Sequence, residues 1–226
     1  MRLAKNHIDV GMMTGQVDAQ LAFWQQEIGL SFEELLLLGG GRRQHRHGMN
    51  GSVLKINESR GPLPDAPPAG YRELLIARQG LTTARRLVDA DGNRVSLVPS
   101  GEQGVTGIGV HLAVRDASAF DDFYGRILGL ERVRERAYRW GDSLLEFEQD
   151  STVAAPASRE GPGYRYLTVQ VWDVDADHAA LLALGAAEGS PPVTLGQTAR
   201  ISFIRDPDGN WIEVSQRASL TGALPH

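Results

Sequence analysis

The chain has 226 residues, 42% of them hydrophobic and 23% charged, with a formal net charge of −5 and no cysteine. This composition is ordinary for a folded globular protein, and the charges are interspersed, so we expect no nucleic-acid partner. Without cysteine there are no disulfides, no cysteine zinc sites and no thiol nucleophiles. No apolar run reaches the length of a membrane span, and the N-terminal segment lacks the apolar core of a signal peptide. We therefore expect a soluble, cytoplasmic protein without a membrane partner.

The N-terminal segment predicts a strand followed by a helix. Residues 6–13, NHIDVGMM, alternate in the manner of a half-buried strand. Residues 18–28 carry apolar side chains at helical spacing. Gly29 stands where a helix would end in a left-handed residue.

A cationic stretch then leads into a predicted hairpin. Residues 42–51 read RRQHRHGMNG, and the final Asn-Gly pair is a strong signal for a two-residue turn into a strand at 51–58. With such a turn Arg46 opposes Lys55, whereas a slip of one residue reverses the faces, and the sequence does not fix this register. The stretch is therefore either a solvated basic hairpin or a mouth that attracts a carboxylate or phosphate.

Three segments occur twice in the same order, which indicates an internal duplication. They are AFWQQEIGL (22–30) with DFYGRILGL (122–130), GYREL (70–74) with GYRYL (163–167), and VDADGNRVSLVP (88–99) with RDPDGNWIEVSQ (205–216). The Asp, Gly and Asn residues of the last pair are typical of a turn before a strand. The strand that follows carries Ser96 in the early copy and Glu213 in the late copy.

The second half is predicted to repeat the order of elements of the first. An alternating strand at 107–114 precedes a helix at 117–128, and further strands extend to 142–149. A second helix is predicted at 173–186, which starts at Asp residues and ends at a Gly. The corresponding part of the first half is shorter and has no such helix.

We therefore predict an α+β fold of four βαβββ modules in two halves. The first half covers residues 1–99, and its second module lacks the helix. The second half covers residues 105–217 with two complete modules, and residues 218–226 form a C-terminal tail.

These motifs resemble the vicinal oxygen chelate superfamily, which includes glyoxalase I, extradiol dioxygenases and bleomycin-resistance proteins. The resemblance is carried by residues 107–130, 163–186 and 201–214 and extends over most of the chain. It implies modules that pair into a cupped sheet. In metal-dependent members it also implies that positions on the first and last strands of each module hold a divalent ion against two adjacent substrate oxygens.

Carried over one at a time, the corresponding positions of this chain form an irregular set. They are His7, Lys55, Glu73 and Ser96 in the first half, and Gly109, Glu146, Tyr166 and Glu213 in the second. His111 lies two residues beyond Gly109 and faces the same way. The pairing of the modules stays open, because modules could pair within each half or the first could pair with the fourth.

The preferred functional hypothesis is a metal-assisted proton transfer, of the lyase or isomerase type, on a small molecule with adjacent oxygens. The metal would be Fe, Mn, Ni or Zn. Its candidate ligands are His7, His111, Glu146 and Glu213, and the two carboxylates are also the candidate catalytic residues. The candidate substrate-binding residues are Lys55, Glu73, Tyr166, Arg46 and Trp211.

Other functions are compatible with the same residues. One is a metal-free protein that binds or sequesters a small molecule, of the bleomycin-resistance type. Another is an extradiol-type dioxygenase with a non-standard site, and a third is a partner subunit without a ligand. The resemblance also allows a homodimer, since members of the family often bury sheet edges between subunits.

Overall fold

The chain folds into two mixed β-sheets with four short α-helices, in a computed structural model that describes residues 1–153, 158–222 and 224. The predicted α+β class is confirmed. None of the helices within these described stretches is long and apolar enough to cross a membrane.

The first half contains two modules of unequal size. The first module consists of β1 (Asp9–Thr14), α1 (Val17–Ala22) with a following π-helical segment (Phe23–Glu27), β2 (Ser31–Leu37), β3 (Arg43–Met49) and β4 (Ser52–Glu58). The second module consists of β5 (Tyr71–Arg78), β6 (Arg85–Val88) and β7 (Arg94–Pro99). All of residues 59–99 are described, and this module has no helix there, as predicted, and one strand fewer than the others.

The second half contains two complete modules. The third module consists of β8 (Ile108–Val114), α2 (Ala117–Asp121) with a π-helical segment (Asp122–Ile127), β9 (Glu131–Arg134), β10 (Ala137–Trp140) and β11 (Ser143–Gln149). The fourth consists of β12 (Gly163–Gln170), α3 (Val174–Ala183), β13 (Ala187–Leu195), β14 (Ala199–Arg205) and β15 (Trp211–Arg217), and α4 (Ala218–Thr221) follows it. Gly29, as predicted, follows the first π-helical segment in the left-handed conformation with φ of 79°, and Gly129 follows the second with φ of 69°.

The sheets combine modules from different halves. The eight-stranded sheet has the order β13-β14-β15-β12-β1-β4-β3-β2, so it joins the first module to the fourth. The seven-stranded sheet has the order β6-β7-β5-β8-β11-β10-β9, so it joins the second module to the third. At the centre of the first sheet β1 pairs in parallel with β4 and antiparallel with β12. Of the two pairings left open by the sequence, the structure adopts the one that joins the first and fourth modules.

One hydrophobic core lies between the sheets and the helices. Alternate residues of the central strands point into it, among them Val10, Leu54, Leu145 and Ile212, each at most 2% exposed. Trp24 joins this core from the first π-helical segment. Since strand side chains alternate, the residues between these positions point to the opposite face of each sheet.

The predicted hairpin turn fixes the register of the cationic stretch. Asn50 and Gly51 form a two-residue turn with φ of 50° and 85°, which places Arg46 opposite Lys55. Both φ values are positive, as a turn that follows the strand twist requires. The side chain of Asn50 also donates hydrogen bonds to the carbonyl oxygens of Ala77 (2.8 Å) and Gly107 (3.0 Å). This turn therefore connects the two sheets.

Candidate functional site

One row of residues crosses six strands of the eight-stranded sheet. Successive pairings join neighbours on β2, β3, β4, β1, β12 and β15. The row runs Glu34, Arg46, Lys55, Gly11, Tyr166 and Trp211. Four of the five predicted substrate-binding residues belong to it, because side chains at matching register positions face the same side of a sheet.

Gly11 makes room for the centre of this row. A Cβ atom at Gly11 would overlap the ring of Tyr166, which lies across the strand at that point. The hydroxyl of Tyr166 accepts a hydrogen bond of 3.0 Å from Asn57 Nδ2. The absence of a side chain at residue 11 therefore lets the aromatic ring form the floor of the site.

A buried ion pair lies beside the ring. The Lys55 ammonium donates to Glu213 Oε2 (2.8 Å) and to Thr168 Oγ1 (2.7 Å), and the Thr168 hydroxyl donates to the same carboxylate oxygen at 2.7 Å. The side chains of Lys55 and Glu213 are 4% and 10% exposed. Burial lowers the pKa of Lys55, and the neighbouring Glu213 carboxylate opposes that shift. The pair is therefore a desolvated charge pair whose partners depend on each other.

A chain of amide side chains connects the floor to an arginine. Asn57 Oδ1 accepts from Gln44 Nε2 at 2.9 Å, and Gln44 Oε1 accepts from Arg46 Nη1 at 3.1 Å. Arg46 is 5% exposed, so its guanidinium charge is held inside the sheet. The chain orients Arg46 relative to Tyr166.

Glu34 bridges two strands at opposite sides of the cup. Its Oε1 accepts a hydrogen bond of 2.5 Å from Arg217 Nη2 on β15 and lies 2.9 Å from Arg46 Nε on β3. Because β2 is an edge strand five positions away from β15 in the sheet order, this contact requires the sheet to curl. The bridge therefore shows that the sheet is cupped, as the resemblance implied.

The cup encloses a cavity of about 740 Å³ whose charged lining residues are mostly cationic. Its charged lining, among the described residues, comprises Arg42, Arg46, Lys55, Arg159, Arg217 and Glu213. The apolar part of the lining includes Leu36, Leu195, Ile201 and Phe203. The wall thus combines a positive charge excess with an apolar surface.

Two buried polar atoms of the lining have no hydrogen-bond partner within the described part of the chain. They are Arg46 Nε and Gln170 Oε1. Arg46 Nε is close to Glu34, but its N–H does not point at the carboxylate. Buried polar groups are normally paired, so unpaired atoms in a cavity wall indicate where a ligand could bind.

Two hairpin tips contribute to the cavity lining. Leu37 ends β2 and Gly39 follows it, while Leu195 ends β13 and Gly196 follows it. The side chain of Leu37 is 79% exposed. An apolar group that enters the cavity would therefore contact leucine from both sides.

Three other candidate site residues, Glu73, His111 and Glu146, lie on the seven-stranded sheet. His111 pairs in register with Glu73 on one side and Glu146 on the other. Glu73 accepts a hydrogen bond of 2.5 Å from Ser96, and Glu146 forms an ion pair with Arg134. These carboxylates are therefore engaged within their own sheet and are not brought to Glu213.

The segment between β7 and β8, residues 100–107 and here called the linker, packs against this second sheet. Val105 is 1% exposed and packs in a cluster with Leu75, Val98 and Leu144. Arg134 Nη1 donates to the carbonyl oxygen of Gln103 at 2.8 Å, so the residue that pairs with Glu146 also holds the linker. The linker therefore occupies part of the face of the seven-stranded sheet.

The four predicted metal ligands do not share a site. Glu213 lies in the eight-stranded sheet, whereas His111 and Glu146 lie in the seven-stranded sheet. His7 precedes β1, and its Nε2 lies 3.6 Å from Asp142 Oδ2. Within residues 1–153, 158–222 and 224, no three His, Asp or Glu side chains are grouped so that they could hold a metal ion.

Sequence reasoning missed several residues of the site. Gln44, Asn57 and Thr168 each lie two positions from a predicted residue on the same strand, so strand alternation could have identified them. Glu34 and Arg217 lie 183 residues apart and meet only because the sheet curls. No local pattern in the sequence indicates that contact.

Comparison with known proteins identifies the fold. A model of the glyoxalase/bleomycin resistance protein/dioxygenase superfamily matches residues 105–214. Residues 105–214 therefore belong to this superfamily. A comparison of the sequence with curated proteins found no match.

Solved structures resemble the fold of this chain over nearly its whole length. Glyoxalase I from Zea mays has 17% sequence identity and a TM-score of 0.72, covering 95% of this chain and 92% of that one. A candidate dioxygenase from Bacillus subtilis has 12% identity and a TM-score of 0.69, covering 96% of this chain and 86% of that one. At these identities the likeness shows the duplicated fold and not the activity.

The cup of the eight-stranded sheet does not fit a metal ion. Glu213 already accepts hydrogen bonds from Lys55 and Thr168 on one oxygen. Asp9, on β1, is paired with the ammonium of Lys5 at 2.7 Å and accepts from the backbone N–H of Val53. A cation at either carboxylate would have to displace an ammonium group, and the lining around Glu213 has an excess of positive charge.

Proposed function

We propose that this chain binds a small organic anion in the cavity of the eight-stranded sheet, without a metal ion. The observation that carries the proposal is the Lys55 ammonium 2.8 Å from Glu213 Oε2, inside the cup. The resemblance to metal-dependent members implies a carboxylate ligand at the position of Lys55. In this chain the same position supplies a positive charge.

The charge of the lining supports an anionic ligand. Five cationic side chains line the cavity, namely Arg42, Arg46, Lys55, Arg159 and Arg217. They outnumber the carboxylates that neutralise them, which are Glu213 in the lining and Glu34 and Glu160 beside it. Guanidinium groups bind carboxylates through paired hydrogen bonds, and burial strengthens such contacts. A cationic ligand would be repelled at this wall.

The size and the apolar wall of the cavity support a ligand with a hydrocarbon part. A volume of about 740 Å³ is within the range of small-molecule sites. Leu36, Leu195, Ile201 and Phe203 form a surface that a water-filled anion site would not need. We therefore expect the preferred ligands to combine an acidic group with an apolar body.

Calorimetric titration with matched ten-carbon compounds tests this proposal. We expect the protein to bind decanoate in excess EDTA, and to bind decanol and decylammonium at least about tenfold more weakly. Lys55→Met should weaken decanoate binding, because it removes a cation from the wall. Exposed Arg126, which pairs with Asp122 outside the cavity, provides the control variant Arg126→Met.

Two results would contradict the proposal. One is equal affinity for the three compounds, which would mean that charge does not select the ligand. The other is stoichiometric metal in protein purified without an affinity tag, when that metal is lost on Glu213→Ala. The second result would restore the metal-assisted reaction as the better hypothesis.

The Lys55–Glu213 pair favours a second candidate function, proton transfer without a metal ion. The Glu213 carboxylate is able to take a proton from a carbon next to a carbonyl and return it, while the Lys55 ammonium stabilises the enolate oxygen. Proton NMR of 2-oxooctanoate in deuterium oxide would detect this as deuterium incorporation at C3. Incorporation that is catalysed by the wild type and lost in Lys55→Met would favour an enzyme over a binding protein.

A further inference from the structure

The Glu34 carboxylate lies where two arginines of the cavity wall meet. It accepts from Arg217 Nη2 and lies 2.9 Å from Arg46 Nε. The side chain of Glu34 is 41% exposed, whereas those of Arg46 and Arg217 are 6% and 17% exposed. A carboxylate from the rim of the cup thus reaches two guanidinium groups that are largely withdrawn from water.

Glu34 satisfies these arginines incompletely. Arg46 Nε is buried and, among the described residues, has no hydrogen-bond partner. A guanidinium has five N–H donors in a rigid planar arrangement and binds a carboxylate best through two parallel hydrogen bonds. The side chain of Glu34 is tied to strand β2 and does not align with the Nε–H of Arg46. A free carboxylate has no such restriction.

The two arginines need an anion between them. Burial lowers the pKa of Arg217, the charge of Arg46 lowers it further, and the Glu34 carboxylate opposes both effects. Without a negative group the two guanidiniums would repel each other in a partly desolvated place. Glu34 therefore stabilises the empty site.

We infer that Glu34 holds the place of the ligand's carboxylate, and that Arg46 and Arg217 form the anion subsite of the cavity. This inference rests on the proposed function. The incoming carboxylate displaces the Glu34 side chain into solvent, takes the hydrogen bond from Arg217 and pairs with the unsatisfied Nε of Arg46. Since Glu34 competes with the ligand, its removal strengthens binding.

The position of the subsite orients the rest of the ligand. Arg217 and Leu195 both line the cavity, as do Ile201 and Phe203 of β14. Gln170 Oε1, the other unpaired buried atom of the wall, accepts a hydrogen bond from an O–H or N–H of the ligand. The expected ligand class is an amphipathic carboxylic acid with a hydrogen-bond donor on its chain.

Two neighbouring glutamates on β2 provide a matched pair of variants. Glu34→Gln removes the competing charge, and we expect about tenfold tighter binding of decanoate, with the affinity for decanol unchanged. Glu33→Gln removes the same charge from the next residue, whose side chain lies against Gly48. We expect Glu33→Gln to leave both affinities unchanged.

A second experiment does not require the larger ligand. Glu34→Ala leaves the arginines without an anion, so we expect a lower melting temperature that acetate restores and that equimolar chloride or acetamide does not. Glu33→Ala should show no such rescue. If decanoate fails to bind while acetate rescues Glu34→Ala, the proposed function falls and the anion subsite stands.

The inference is overturned by either of two outcomes. One is unchanged or weaker decanoate binding in Glu34→Gln, which would make Glu34 a neutral or supporting residue. The other is a melting temperature of Glu34→Ala that acetate and chloride raise equally, since that response would reflect ionic strength alone.

Discussion

The Lys55–Glu213 pair lies in the cavity lining, and both side chains are largely withdrawn from water. Removing two charges from water is costly, and their attraction offsets that cost only while both are present. The Thr168 hydroxyl adds a hydrogen bond to the same carboxylate oxygen. Removing one partner is therefore expected to destabilise the fold more than removing both.

A double-mutant cycle tests this expectation. We predict that Lys55→Met and Glu213→Leu each lower the free energy of unfolding by about 3–5 kcal/mol, because each leaves an unpaired buried charge. The double variant should recover most of that loss, since it leaves no charge. Urea unfolding followed by circular dichroism measures all four proteins. Additive losses in the double variant would show that the two residues act independently.

Gly11 is the residue on which the aromatic floor depends. Gly11→Ala would force the Tyr166 ring to move, so we predict a loss of about 1–3 kcal/mol in the free energy of unfolding. The loss should be much smaller in a Tyr166→Leu background, because a shorter side chain leaves room for the methyl group. Gly15→Ala is the control, since a Cβ there has nothing within 4 Å. Equal losses in the two backgrounds would refute the assigned contact.

The repeated turns are the elements that sequence analysis described best. Asp206 accepts hydrogen bonds from the backbone N–H groups of Asp208 and Asn210, and Asp89 accepts from those of Asp91 and Asn93. The predicted turn therefore forms in both copies, and in each copy an Asp side chain accepts its backbone hydrogen bonds. Both carboxyl groups are buried, which gives these turns a pH dependence.

Burial raises the pKa of Asp206 to about 6, against an ordinary value of 3.8. Because the folded protein binds this proton more tightly, the contribution of Asp206 to stability is complete below about pH 4 and is lost as the pH rises through about 6. We predict that, as the pH rises between these limits, the free energy of unfolding of Asp206→Asn increases by about 3 kcal/mol relative to that of the wild type. Urea unfolding at about pH 4 and pH 7.5 measures it.

The early copy of the turn provides the comparison. Burial also raises the pKa of Asp89, so Asp89→Asn should show a shift of the same sign. A stability difference that stays constant with pH in Asp206→Asn would mean that the carboxyl group is ionised in the folded protein throughout this range.

At the scale of the whole molecule, the sequence predicted the modules but not their partners. Alternation and helical spacing identify β1, α1 and β4 because these patterns are local. The order of strands depends on contacts between segments more than 100 residues apart, such as β1 with β12. Four similar modules have several ways of pairing, and no local signal distinguishes them.

The long-range pairing of modules also decides which candidate site residues come together. Lys55, Arg46, Tyr166 and Glu213 lie in one cavity because the first module pairs with the fourth. The alternative pairing would have grouped Glu213 with Glu146, as the metal hypothesis required. The chemistry of the site was therefore decided by topology, and the residue types alone were compatible with either outcome.

The pairing across halves makes a prediction about folding. The division of the chain into halves at residues 1–99 and 105–217 was predicted from the sequence repeats. Each sheet nevertheless combines one module from each of these halves. A fragment of residues 1–103 would leave β1 without its partner β12, and would leave β5 without β8. Such a fragment exposes the unpaired inner edges and the apolar faces of two half-sheets.

We therefore predict that fragments 1–103 and 104–226 do not unfold cooperatively when each is alone, and that an equimolar mixture regains a cooperative transition. The cut lies in the linker turn Glu102–Gly104, so it interrupts no strand. Circular dichroism during urea titration distinguishes the cases. If either fragment alone unfolds with the midpoint of the intact chain, that half is an independent domain, and the interleaved sheets would not be required for its stability.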